Sequence, residues 1–229
     1  MELADRHKGV YACVGIHPHE AGKTTDDSLR EIESLSANPR AVAVGEIGLD
    51  YHYDFAPREK QREVFLHQIR LAIQLRRPIV VHTRDSVEEA ISLVEQCVNE
   101  RPDWMANTGR EDEREIQGRG VFHCFSGSAE QAEKLFRLGF YVSFPGIVTF
   151  KKSPVVPVLQ QIGITNILVE TDSPYMTPVP FRGRRNEPSY ITYIGKKIAE
   201  ILKTDESEIA RITSRNAEML FNLPTNSSS

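Results

Sequence analysis

Four short apolar runs in this sequence each end at a side chain that a metal ion accepts. The runs are rich in valine and isoleucine, and they lead into Glu46, His82, His123 and Asp172. Continuous apolar runs of this kind are typical of strands buried on both faces, as in a parallel sheet. Because parallel strands present their carboxyl ends at one edge, the four side chains are predicted to converge there. Two imidazoles and two carboxylates at one point predict a site for a hydrolytic metal ion.

Strand-like and helix-like segments alternate along the chain, which predicts an α/β fold with a parallel sheet. The six strand candidates are residues 9–16, 41–47, 79–82, 120–125, 140–144 and 166–171. Helices are predicted from Pro57 to Arg76, after Asp85, from Ser128 to Gly139, and twice near the carboxyl terminus. A (β/α)8 barrel needs eight strands and about 250 residues, so the count falls short by about two βα units.

The length of 229 residues is enough for one large domain, and we predict a single domain over residues 1–229. Residues 97–120 are polar and lack apolar periodicity, so they are predicted to be a surface loop insertion. Residues 224–229 are small and polar, which is typical of a flexible tail.

Composition narrows the class of protein and its compartment. The net charge of −4 argues against a generally basic surface for nucleic acid, so a polyanion would need a local cluster or a metal. The three cysteines form no CxxC pair, which favours a reducing compartment. No stretch approaches the roughly 18–20 apolar residues of a membrane span, and the amino terminus is charged. We therefore predict a cytoplasmic protein that does not associate with a membrane and has no obligate protein partner.

Each candidate ligand also has an ordinary structural interpretation. Glu46 can pair with an arginine, His82 and His123 can be satisfied core histidines, and Asp172 can cap a turn. The metal hypothesis depends on all four occurring together at successive strand ends. The glycines beside Glu46 predict close approach of the backbone there.

His17 and His19 form an HxH pair at the end of the first strand candidate. Such a pair points two imidazoles to one side of a strand, as metal ligands require. Because Pro18 interrupts the strand, we place these histidines beside the metal site rather than on the metal.

Basic residues follow several strand ends and suit either a solvated surface or phosphate capture. Arg185, Asn186 and Glu187 combine donors with an acceptor, which favours substrate contact. A cysteine nucleophile has little support, because Cys124 and His123 are neighbours on a strand and point opposite ways. The basic residues are Lys151, Lys152, Arg182, Arg184 and Arg185.

The motifs, taken in order, resemble those of the TatD family of metal-dependent deoxyribonucleases in the amidohydrolase superfamily. They span nearly the whole chain. The matching segments are Gly15–His19, Gly45–Asp50, His82–Asp85, His123–Gly127, Glu170–Tyr175, Arg185–Pro188, Asn216-Ala217 and Leu220-Phe221.

This resemblance implies a TIM-type (β/α)8 barrel in which Glu46, His82, His123 and Asp172 bind up to two divalent ions, Mg²⁺, Mn²⁺ or Zn²⁺. It implies that Glu46 bridges the metals and that Asp172 handles the proton of the attacking water. His17, Arg84, Arg185, Asn186 and Glu187 would contact substrate. The family opens with a separate HxH motif on its first strand, whereas this sequence begins near the third strand of the family pattern, and His17 and His19 are not that motif. The barrel is therefore expected without its first two βα units.

The reaction implied is hydrolysis of DNA phosphodiesters by metal-activated water, acting from a 3′ end. A second hypothesis keeps the metal but changes the bond, as a deacylase of aminoacyl-tRNA or another ester hydrolase. A third is an inactive, truncated relative that binds nucleic acid or a partner.

Overall fold

The computed structural model describes residues 1–53, 55–105 and 118–224, in which strands alternate with helices. Within these residues six strands form one sheet and follow one another in chain order, so the predicted number of strands and the α/β class are confirmed. The strands are β1 (Ala12–Val14), β2 (Ala41–Asp50), β3 (Ile79–Arg84), β4 (Gly120–Phe122), β5 (Phe140–Phe144) and β6 (Ile167–Val169). The helices are α1 (Glu2–Arg6), α2 (Asp26–Ser36), α3 (Arg58–Leu75), α4 (Val87–Glu100), α5 (Ala129–Arg137), α6 (Val155–Ile162), α7 (Ile191–Leu202) and α8 (Glu206–Phe221).

The chain divides into two compact units. The first comprises Met1–Val121 with Leu220–Asn222, and the second is centred on Phe122–Met219. Strands β1 to β3 and helices α1 to α4 belong to the first unit. Strands β5 and β6, helices α5 to α7 and most of α8 belong to the second.

In the first unit, β2 pairs in parallel with β1 on one side and with β3 on the other. Every residue of β2 is buried except Glu46, which is half-buried. This pattern fits an interior strand of a parallel sheet covered on both faces. Of the two ionisable side chains of the strand, Glu46 is therefore the one that reaches the surface, while Asp50 is enclosed.

Two buried glutamines of α3 hold the backbone near the ends of the first two strands. Gln68 accepts from the Ile16 N–H at 2.7 Å and donates to the Ile16 carbonyl at 3.1 Å. Gln61 accepts from the Asp50 N–H at 2.8 Å and donates to the Asp50 carbonyl at 3.0 Å. It also donates to the Ala56 carbonyl. Because a buried amide with unmet hydrogen bonds is costly, these pairs fix the loops that follow the strands.

Gly48 lets β2 approach β3 closely, as the glycines beside Glu46 predicted. It has a φ of 143°, and a Cβ built on it would lie 2.1 Å from the carbonyl oxygen of His82. We expect Gly48→Ala to lower the free energy of unfolding by about 3 kcal/mol or more, through steric overlap and a strained backbone. Chemical denaturation measures this loss.

Gly9→Ala is the matched control, because no atom lies within 4 Å of a Cβ at that position. Its unfolding free energy should stay within about 0.5 kcal/mol of the parent protein. Equal stability of the two variants would contradict the close approach of the strands.

In the second unit, β5 and β6 form a parallel pair. Helix α5 begins with the predicted capping box, in which Ser128 and Gln131 bond each other's backbone. Near β6, the side-chain amide of Asn216 donates to the carbonyls of Thr165 and Ile167 at 3.0 Å and 2.8 Å. These contacts fix the start of the strand that leads to Glu170 and Asp172.

The segment predicted as a loop from residue 97 begins later than expected. Helix α4 runs to Glu100, because Cys97 and Val98 extend its apolar face into the core. Trp104 is buried as well, and its indole N–H donates to the Arg77 carbonyl at 3.2 Å. The rest of that prediction falls on 106–117, and the predicted tail on 225–229, both outside the described residues.

Helices α2 and α6 were absent from the sequence prediction. Helix α2 does carry an apolar stripe, since Leu29, Ile32 and Leu35 recur at helical spacing and are half-buried, but the sequence prediction passed over it. Helix α6 contains Pro157, but within its first turn, where the missing N–H costs little. In the described parts of the chain, no helix combines the length and apolar character needed to cross a membrane.

Candidate metal centre

Glu46 and His82 lie side by side in the first unit, because their strands are neighbours. His82 of β3 is in register with Gly48 of β2. Its Nδ1 lies 2.8 Å from Oε1 of Glu46. Two of the four predicted ligands are thus in direct contact.

Asp50 orients the imidazole of His82 from the other side. Its Oδ2 accepts from His82 Nε2 at 3.0 Å and from His19 Nε2 at 2.8 Å, while Oδ1 accepts from the backbone N–H groups of His52 and Tyr53. A carboxylate that binds one ring nitrogen fixes the tautomer and leaves the other nitrogen for a metal. In His82 that nitrogen is Nδ1, which faces Glu46.

Asp50 is only 1% exposed, yet it stays ionised. Burial raises the pKa of its carboxyl, but hydrogen bonds from His19, the Tyr53 N–H and His82 together lower the pKa below its ordinary value. The sequence pattern alone did not indicate a role for Asp50. A strand continued to residue 50 would have placed it on the same face as Glu46, four residues earlier.

We expect Asp50→Asn to weaken divalent-metal binding by about 10–100-fold, because a neutral amide holds the His82 ring less firmly. Calorimetric titration with Mn²⁺ measures the change. Asp103→Asn is the control, since Asp103 is paired with Arg101 on the surface. Unchanged affinity in Asp50→Asn would show that His82 needs no orienting carboxylate.

His17 lies close to Glu46, with Nε2 at 3.6 Å from Oε1. Its Nδ1 accepts the backbone N–H of His19 at 3.2 Å, as the cap of a short 3-10 helix that begins at Pro18. Because Nδ1 of His17 accepts a hydrogen bond, it carries no proton. In the neutral imidazole the proton is therefore on Nε2. This tautomer favours His17 as a hydrogen-bond donor over a metal ligand.

The chemistry of this group fits a divalent cation. Ligand atoms of His17, Glu46 and His82 all lie within 4.8 Å of one another. Imidazole nitrogen and carboxylate oxygen are ligands shared by zinc, manganese and iron sites. In His82 the nitrogen that faces away from Glu46 donates to Asp50, which is the arrangement that metal-binding histidines adopt, whereas in His17 that nitrogen accepts.

The second unit repeats the same arrangement around His123. Its Nδ1 lies 3.4 Å from Oε2 of Glu170. The other oxygen of Glu170 accepts from the Cys124 N–H at 2.6 Å and from the Ser143 hydroxyl at 2.7 Å. Burial raises the pKa of Glu170, but His123, Cys124 and Ser143 outweigh it and lower the pKa below its ordinary value. Sequence reasoning missed this carboxylate, which sits one residue after β6.

Cys124 does not act as a nucleophile at neutral pH. Burial, with smaller contributions from the charges of Glu170 and Asp172, raises the pKa of its thiol to about 12, despite a hydrogen bond with His123. A thiol that keeps its proton is a poor nucleophile. The result agrees with the little support that the sequence gave to cysteine chemistry.

Asp172 is half-buried in the second unit and adopts a left-handed backbone with φ of 54°. Its carbonyl accepts from the Tyr175 N–H at 2.8 Å, which closes the turn after β6. Its charge also makes a small contribution to the raised pKa of Cys124, the residue after His123. The backbone of Asp172 thus closes the turn, and a metal-ligand role for its carboxylate stays a prediction.

Asn186 holds a loop rather than presenting its amide to a substrate. It is 2% exposed, and its side-chain NH₂ donates to the carbonyls of Thr171, at 2.6 Å, and Tyr175. Its side-chain oxygen accepts from the Glu187 N–H at 2.9 Å. The predicted substrate contact by Asn186 therefore gives way to a role in supporting the turn at Asp172.

The other predicted substrate residues are accessible. Arg84, Arg185 and Glu187 are all exposed. The guanidinium of Arg84 lies over the ring of Tyr53, 4.6 Å from its centroid. The guanidinium groups of Arg84 and Arg185 are thus accessible to an anionic ligand.

A family model for TatD-related DNases matches residues 1–222 of the chain. This chain belongs to the TatD-related DNase family. The resemblance in its motifs is thereby confirmed, and with it the TIM-barrel fold class, a metal cofactor and hydrolysis of ester bonds.

Relatives within the TatD family carry names of two kinds. YabD of Bacillus subtilis (strain 168), an uncharacterized metal-dependent hydrolase, is 42% identical over 225 residues, which cover 97% of this chain and 82% of YabD. TatD of Escherichia fergusonii, a 3′-5′ ssDNA/RNA exonuclease, is 31% identical over 230 residues, which cover 97% of this chain and 82% of its own.

A solved structure in the TatD family has the same fold. The crystal structure of YJJV, a TatD homolog from Escherichia coli K12, superposes with a TM-score of 0.84 at 29% identity. The match covers 97% of this chain and 81% of YJJV.

Proposed function

We propose that this TatD-family protein is a nuclease that removes nucleotides from the 3′ end of single-stranded DNA. The observation that carries the proposal is the pairing of each strand-end histidine with a carboxylate. Asp50 orients His82, and Glu170 orients His123. A relative named as a 3′-5′ ssDNA/RNA exonuclease supports the choice of substrate.

In this proposal, Glu46, His82, His123 and Asp172 hold the metal. His82 would bind through Nδ1 and His123 through Nε2, because their other nitrogens face Asp50 and Glu170. When bound, a divalent cation polarises a phosphate and lowers the pKa of water from 15.7 to about 7. We place the protein in the cytoplasm, where thiols such as those of Cys13, Cys97 and Cys124 stay reduced.

Two side chains would assist the reaction. Asp172 would accept the proton of the attacking water, because a carboxylate can serve as a general base. His17 would keep its proton and donate a hydrogen bond from Nε2 to the departing oxygen, because the His19 N–H already occupies its Nδ1. The proton that Asp172 takes from the water would pass on to the departing oxygen, so the step balances without a proton from His17.

Exposed arginines would position the DNA. Arg84 and Arg185 offer guanidinium groups that match two phosphate oxygens at once. Glu187 adds an acceptor for a sugar hydroxyl or a base amine. With a net charge of −4, the protein depends on this local set for polyanion binding.

Oligonucleotides labelled at either end test the proposal. With Mg²⁺ or Mn²⁺, a 5′-labelled single strand should shorten through a ladder of products, whereas a 3′ label should leave as a single nucleotide at once. EDTA should abolish both results. Hydrolysis of an aminoacyl-tRNA ester in a parallel panel, with DNA left intact, would overturn the nuclease assignment in favour of a deacylase.

A further inference from the structure

Two aromatic side chains protrude from the first unit just beyond the carboxyl end of β2. Tyr53 is 39% exposed and Phe55 is 65% exposed. Their rings stack, with centroids 5.2 Å apart and planes 16° from parallel. Large rings left in water on a soluble protein often mark a binding surface.

The aromatic pair lies next to the candidate metal ligands of the same unit. The ring of His19 meets Phe55 edge-on with centroids 4.8 Å apart, and Tyr53 at 5.6 Å. Its Nε2 shares Asp50 Oδ2 with His82. His19 therefore lies between the exposed rings and Asp50, the carboxylate that orients His82.

A positive charge accompanies the rings. The guanidinium of Arg84 lies 4.6 Å from the centroid of Tyr53 and is itself exposed. Aromatic faces for bases combined with a cation for the backbone are the means by which proteins bind single-stranded nucleic acid. A broad apolar surface for another protein does not fit, because the other large exposed apolar side chains described in this unit, Leu3 and Val10, precede β1.

We propose that Tyr53 and Phe55 form a stacking platform for the base of the 3′-terminal nucleotide, while Arg84 binds the adjoining phosphate. This inference rests on the proposed nuclease function and assigns that function a base-binding subsite. Stacking accepts any base, so the platform would select single strands with unpaired ends without selecting sequence.

The experiment compares the parent protein with Tyr53→Ala/Phe55→Ala on two oligonucleotides. One has an ordinary 3′-terminal nucleotide and the other an abasic residue in that position. In the parent protein the abasic end should raise KM by about 5–150-fold. The double variant should show the same increase on the ordinary oligonucleotide and no further increase on the abasic one.

Tyr11→Ala is the matched control. Tyr11 also carries an arginine over its ring, Arg40 at 4.8 Å, but it precedes β1 and so lies at the other end of the parallel strands. Its KM values should equal those of the parent protein. Circular dichroism of the variants checks that they fold.

Binding of the same oligonucleotides in EDTA, followed by fluorescence anisotropy, separates two kinds of failure. If the parent protein cleaves neither oligonucleotide, the proposed nuclease function fails, while a base-dependent loss of affinity in the double variant still supports the platform. Equal affinity and KM in the double variant and the parent protein would overturn it. The platform would also be overturned if the increases in KM caused by the abasic end and by the double substitution multiplied. The rings and the base would then act independently of each other.

Discussion

Asp172→Asn is expected to lower kcat on single-stranded DNA by about 10²–10⁴-fold, the range that a positioned general base contributes. An amide has nearly the same shape as the carboxylate but cannot accept the proton of the attacking water. The fold should survive, because asparagine tolerates the left-handed backbone that Asp172 adopts, with φ of 54°. Single-turnover kinetics on a 5′-labelled strand measures the loss.

Asp85→Asn provides the control for this experiment. Asp85 also follows a strand and has a φ of 54°, but its side chain is 67% exposed and contacts His52. Its kcat should match the parent value. Full activity in Asp172→Asn would remove Asp172 from the proton transfer, whatever its role in the turn.

Glu46→Gln is expected to lower Mn²⁺ affinity by more than about 100-fold, with a parallel loss of hydrolysis. Loss of a group that merely orients a ligand costs about 10–100-fold, so loss of a charged ligand should cost more. The substitution keeps the shape of a side chain that lies 2.8 Å from His82. Isothermal titration calorimetry reports the affinity directly.

Glu89→Gln is the matched control for Glu46. The side chain of Glu89 is 39% exposed and that of Glu46 is 36% exposed, but Glu89 pairs with Arg62 on the surface. Its Mn²⁺ affinity should be unchanged. If both variants bind Mn²⁺ as the parent does, Glu46 is a structural partner of His82 and not a ligand.

The sequence predicted the contact between Glu46 and His82 because neighbouring parallel strands end at one edge of a sheet. It missed Asp50 because β2 was ended at residue 47, before its last three residues. The available signal was spacing, since Glu46 and Asp50 are four residues apart on an extended strand and both reach His82. Glu170 was missed in a similar way, as a residue of the strand rather than of the site.

The buried supports of the site could not be deduced from one sequence. Gln61 and Gln68 read as polar positions on a helix, but both are buried and bond to the ends of distant segments. Their partners are fixed by tertiary packing, which local patterns do not encode. Asn186 illustrates the converse, because a polar residue in a loop was predicted to meet substrate and is enclosed instead.

The most direct test is a crystal of the parent protein grown with Mn²⁺ and measured for anomalous scattering. We expect a peak within about 2.5 Å of ligand atoms from Glu46, His82, His123 and Asp172, the bond length of hard cations to oxygen and nitrogen. A peak bound only by Glu46 and His82, or only by His123 and Asp172, would contradict a shared metal centre. The absence of a peak under conditions that support hydrolysis would contradict it as well.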